Sequence, residues 1–160
     1  MYKERVAALM NAVKDDPDDL EFIESRMNMF TDYVAHVTWM EIRMQTMRAK
    51  GIEGQEWRDA VSVMDAGRRS KHDVAMGGIN QLNRMCQANG LELFYDGEVD
   101  HDHRTQIGDV IGDIVNEYFQ GRAAGPLKQK DLMGEVDSTR TGKSFEAAIN
   151  SMSAPDPLAR

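Results

Sequence analysis

The stretch from Asp65 to Arg84, DAGRRSKHDVAMGGINQLNR, decides how the rest of the chain is read. On one long helix, Trp57, Val61, Met64, Arg68, His72, Ala75, Ile79, Leu82 and Cys86 step by three and four and share one stripe. That stripe is apolar at both ends and charged in the middle. Arg68 and His72 stand where a core wants Leu. Asp65 precedes Arg68 and Arg69 by three and four residues, within side-chain reach along a helix. Buried charges are costly unless paired, so the stripe predicts either a structural polar layer or a site.

Upstream, residues from about 18 to 50 read as a second long helix. Leu20, Ile23, Met27, Phe30, Val34, Val37 and Met44 step by three and four, and the member missing from that seam is Glu41. Glu41 is therefore expected to face the Arg68/His72 layer. Phe22, Met29, Tyr33, His36, Met40 and Met47 form a second apolar row beside the first. Two rows predict a helix contacted from more than one side, at the centre of a bundle. Met and Tyr suit interface cores, so Met29, Tyr33, Met40 and Met47 are the expected contact row for a second copy of the chain. The competing reading is that helix one and the LELFY segment cover this row within one subunit.

The remaining elements follow from breaks in periodicity. Residues 2–14 read as a short helix with Val6, Leu9, Met10 and Val13 on one side, and Pro17 stops it. Asp18 or Asp19 is the expected cap of helix two. Gly51 and Gly54 mark a turn, and the third helix runs from Gln55 or Glu56 to Asn89-Gly90. LELFY at 91–95 reads as an extended connector. Asp100 or Asp102 caps a fourth helix ending near Gln120, with Ile107, Val110, Ile111, Ile114 and Val115 on its apolar side. From Gly121 the composition shifts to small polar residues. The expected organisation is thus an all-α bundle of about four helices over 1–121. Residues 122–160 then form a linker and an arm with a short amphipathic helix at Phe145, Ala148, Ile149 and Met152. Phe145, Ile149 and Met152 are expected to dock across a dimer.

Charge narrows the partners. The chain has a net charge of −8, and up to residue 121 it holds 13 Lys and Arg against 22 Asp and Glu. An acidic body lacks the basic footprint that nucleic acid requires. No apolar run is long enough for a membrane span or a signal peptide, and a single cysteine, Cys86, fits a reducing compartment. The expectation is a cytoplasmic protein whose partner is a second copy of itself or another protein, with neither nucleic acid nor membrane involved.

Two chemistries fit the polar residues. Glu41, Asp65, Arg68, Arg69 and His72 could form an anion pocket, with Arg as a bidentate donor, or an ion-pair network fixing helix register. D-x-x-R-R-x-x-H-D followed by I-N-x-L-N-R resembles a bacterial helical domain family of unknown function, over roughly residues 18–122. That resemblance implies a small helical domain and no particular activity. The order His36, His72-Asp73, then Asp109 or Asp113 also resembles the HD-domain phosphohydrolases. This likeness implies a divalent metal activating water for hydrolysis of a nucleotide or another phosphorylated small molecule. Arg-Arg-Ser-Lys before His72 departs from that family's apolar run. In DHDH at 100–103, His-x-His could bind metal, or the stretch is a solvated turn and cap. The leading expectation is a non-enzymatic, self-associating interaction protein without a cofactor, and the alternative is the metal-dependent hydrolase.

Overall fold

The computed structural model describes residues 1–119. Among these residues it contains four α-helices, α1 (Tyr2–Ala12), α2 (Pro17–Ala49), α3 (Gly54–Ala88) and α4 (Arg104–Phe119), with one 3-10 turn at His101–His103 and no strand. The fold is all-α. The arm expected at 122–160, including Phe145, Ile149 and Met152, lies outside the described residues.

Local chemistry sets most of the helix ends. α2 is capped by Asp16, not by Asp18 or Asp19. Its Oδ1 accepts from the Asp18 N–H at 3.0 Å and the Asp19 N–H at 3.2 Å. Pro17 has no N–H to lose and its fixed φ suits the first helical position, so the cap moves one residue upstream of the proline. α2 and α3 close in the same way. The Gly51 N–H bonds the Arg48 carbonyl at 3.0 Å and the Ile52 N–H bonds the Met47 carbonyl at 3.1 Å. At the end of α3, Gly90 N–H bonds Gln87 O and Leu91 N–H bonds Cys86 O. Both are Schellman closures, and the glycine supplies the left-handed residue each needs, with φ of 74° at Gly51 and 68° at Gly90.

The described residues divide into two compact units, to both of which α2 and α3 contribute. The first comprises 1–34 and 70–119. Its core includes Leu9, Ile23, Met27, Phe30, Ile79, Leu82, Ile107, Ile111 and Ile114, all fully buried. The LELFY connector caps this core without forming a strand. Phe94 is completely buried, 5.7 Å from the Tyr2 ring and 6.5 Å from the Phe30 ring. Asn83 holds the connector through both backbone groups of Tyr95, donating to its carbonyl at 2.8 Å and accepting from its N–H at 2.9 Å.

The second unit is the hairpin 35–69, made of the end of α2, a four-residue link and the start of α3. Trp39, Met47, Ala60 and Met64 form its apolar core. The buried stripe of α2 here is His36, Trp39, Arg43 and Met47. These are not the positions of the seam that contains Val37, Glu41 and Met44. That seam is rotated away from α3, so Glu41 is exposed and Arg43, 2% exposed, takes the buried place. The small residues opposite explain the choice. Gly67 lets the His36 ring approach so closely that an added Cβ would stand 3.0 Å from its Cε1.

Candidate functional site

In the hairpin, His36 is buried and its ring lies 4.9 Å from that of Trp39. Its Nε2–H donates to the Met64 carbonyl at 3.0 Å, which assigns the proton to Nε2, since a carbonyl can only accept. Asp65 gathers the two arginines expected beside it. Its carboxylate meets Arg68 Nε at 2.7 Å and Arg69 Nε at 3.3 Å. All three side chains are about a third or more exposed, so this is a solvated intrahelical network rather than a buried pocket. Glu41 is exposed and takes no place in a buried layer. Arg43, which the apolar-stripe reading missed, is the buried cation here. Its signal was its place between Trp39 and Met47 at helical spacing.

The hairpin also presents an incompletely covered face. Met40, Ile42, Met44, Ile52, Trp57 and Val61 are only partly buried against the four-residue core. Met40, Met44 and Val61 each follow a buried position, Trp39, Arg43 and Ala60, by one residue. In an antiparallel pair, such positions lie on the same side of the pair, and Trp57 is one turn before Val61. Arg48, one residue after Met47, lies 5.2 Å over the Trp57 ring, which confirms that sidedness. Of the row expected to form a dimer contact, Met40 belongs to this face. Met47 is fully buried within the hairpin, because it sits on the stripe facing α3. Tyr33 is also buried, against His72 at 5.5 Å, with its hydroxyl against the backbone of Gly108. Met29 is half-buried, with its sulfur 3.3 Å from Arg26 Nη1.

In the other unit, His72 is 1% exposed, and its Nε2–H donates to the Arg104 carbonyl at 3.0 Å. Its Nδ1 has no hydrogen-bond partner and lies 3.6 Å from the Asp73 carboxylate. The same carboxylate oxygen stands 3.8 Å from His101 Nδ1 and 3.7 Å from Arg104 Nη2. Arg104 in turn donates to His101 Nδ1 at 2.9 Å. These contacts pin the start of α4 to α3. His103 bonds Asp100 at 2.6 Å, which raises the imidazole pKa and lowers that of the carboxyl. Asp100 also accepts from the Asp102 N–H at 2.9 Å, so DHDH is a capped turn. An open groove of about 330 Å³ is lined by Asn80, Asn83, Arg84, Gln87 and Leu93.

No three of His36, His72, Asp73, Asp109 and Asp113 are grouped as ligands for one ion. Among the described residues no group of three or more His, Cys, Asp and Glu is placed to hold an ion. His36 spends its Nε2–H on the Met64 carbonyl, and Asp109 and Asp113 are exposed on α4. No described helix is long and apolar enough to cross a membrane.

Neither the curated proteins nor the solved structures contain a match to this chain. The family match extends through α1, which the sequence resemblance over 18–122 left out. Covering residues 1–124, it places the chain in the family described as Protein of unknown function (DUF3232).

Proposed function

We propose that this chain is a non-enzymatic, cytoplasmic interaction protein that self-associates through the hairpin 35–69. The observation that carries this is the half-covered face formed by Met40, Met44, Trp57 and Val61. Two antiparallel helices can bury only the stripes that face each other. Apolar residues flanking those stripes need a third element. A two-fold dimer is the simplest source of that element. Methionines on the face suit a surface that adapts to its partner. The single cysteine fits a reducing, cytoplasmic setting.

Light scattering over the micromolar range tests the reading. The expected result is a mass above that of one chain, which falls on Met40→Glu or Val61→Glu and is unchanged by Asn28→Glu on the exposed side of α2. A single-chain mass for the unsubstituted protein at every concentration ends it.

A further inference from the structure

We propose that the groove between α3 and the 91–95 connector binds a small carboxylate of the kind that ends a peptide chain, with an amide next to the carboxylate and an aliphatic side chain. This inference does not rest on the hairpin face, because every residue lining the groove lies in the other unit. The run Ile79-Asn80-Gln81-Leu82-Asn83-Arg84 builds one wall. Ile79 and Leu82 are fully buried, while Asn80, Asn83 and Arg84, with Gln87 further along, line the groove. Steps of three and four put these four polar side chains on one stripe of α3, and Asn80 to Gln87 spans about 10 Å of the helix axis. Leu93 supplies the other wall. That wall is fixed on both sides. Leu91 N–H bonds the Cys86 carbonyl at 2.9 Å, Phe94 is completely buried, and Asn83 holds both backbone groups of Tyr95. A groove built this way needs little ordering when a ligand arrives.

Sign and donor type select the ligand. Up to residue 121 the chain holds 22 acidic side chains against 13 basic ones, yet no acidic residue lines this groove and one arginine does. Arg84 meets no carboxylate among the described residues, so its fork of N–H donors is open to a planar carboxylate. Glu92, next to Leu93 in sequence, turns instead to Arg5, at 3.3 Å. Asn80 and Gln87 each carry a donor and an acceptor, the pair that a peptide amide needs. Leu93 gives apolar contact for an aliphatic side chain. Inorganic phosphate would leave the amide acceptors and Leu93 unused. At about 330 Å³ the groove stands at the small end of ligand sites, which run from about 300 to 1,000 Å³. An acylated residue, two chain steps or about 7 Å long, fits within the stripe of about 10 Å.

The side-chain amide signals of Asn80 and Gln87 and the Nε–H signal of Arg84, in NMR spectra of the isotope-labelled full-length protein, read the groove directly. Titration with N-acetyl-leucine should move all three saturably in the millimolar range. N-acetyl-leucinamide keeps the amide and the side chain but lacks the charge, and should bind about tenfold more weakly. Arg84→Gln should bring the two ligands to the same weak affinity. Arg84→Lys should retain only part of the difference, because a point charge replaces the fork. Arg84 is exposed, so neither substitution disturbs the core, and unchanged backbone signals verify that. Absence of a saturable shift in the three signals overturns the proposal, as does equal affinity of the unsubstituted protein for N-acetyl-leucine and its amide. Inorganic phosphate that displaces N-acetyl-leucine at equal concentration also overturns it, since the groove would then be a contact for any anion.

Discussion

Three glycines in α3 differ in what stands opposite them, and that difference sets the sign of each alanine substitution. Nothing lies within 4 Å of a Cβ added at Gly77, so Gly77→Ala should gain the helix-propensity difference of about 0.5–1 kcal/mol. At Gly67 the new methyl meets the His36 ring at 3.0 Å. That ring is fixed by Trp39 and by its bond to Met64 O, so overpacking should outweigh propensity and cost about 1–3 kcal/mol net. Gly78→Ala, 3.3 Å from the buried Phe30 ring, should fall between the two. Urea midpoints rank the three, and a stabilised Gly67→Ala would refute the close approach. Glu41→Ala should change stability by no more than about 0.5 kcal/mol, because Glu41 is exposed and strands no buried cation.

At the scale of the element, α1 shows how a short helix is mounted. Eleven residues are too few to persist alone. Glu117 on α4 supplies the cap that α1 lacks in its own sequence. Its Oε1 accepts from Tyr2 N–H at 2.7 Å, from the terminal ammonium at 2.9 Å and from Lys3 N–H at 3.3 Å. Partial burial pushes the Glu117 carboxyl up, but these bonds outweigh it and hold the pKa below its usual value. A depressed native pKa adds stability above the unfolded value, near 4.5, and that stability is lost as pH falls through the native value. Glu117→Gln should therefore cost up to about 1 kcal/mol at neutral pH, with the deficit vanishing in acid. An equal deficit at both pH values would show that the charge plays no part. Gly51→Ala tests the end of α2: forcing a Cβ into the left-handed region should cost about 1–2 kcal/mol and loosen Ile52 from Met47. A cost near zero, by urea unfolding, would argue against the Schellman closure.

For the whole molecule, the two units come with separate probes. Trp39 and Trp57 report on 35–69, and Cys86, fully buried with its thiol pKa pushed up by burial, reports on the other unit. Urea unfolding followed by tryptophan emission and, separately, by Cys86 reactivity reads the two units one at a time. Two probes with different midpoints are also the direct test of whether unfolding is a single transition.

Composition and periodicity determined the all-α class, the four helices and most of their limits. So did the glycine closures after α2 and α3 and the connector that Phe94 anchors. These follow from local rules, in which a 3.6-residue period, a proline and a left-handed glycine act through the few residues around them. Which stripe of α2 is buried beyond Phe30 was decided by tertiary packing, and it is neither of the two apolar rows. From Tyr33 onward the buried positions belong to Tyr33, His36, Trp39, Arg43 and Met47, which put Glu41 in water and Arg43 in the core. Both rows are apolar enough to be buried, so the sequence of α2 cannot choose the buried stripe; Gly67 and Ala60 on α3 do, by allowing close approach along one line only. The cap of α1 was equally invisible, because Glu117 and Tyr2 stand 115 residues apart and meet only when α1 and α4 pack. The Asp73 cluster is the same case, since His101 and Arg104 reach it through the turn that starts α4.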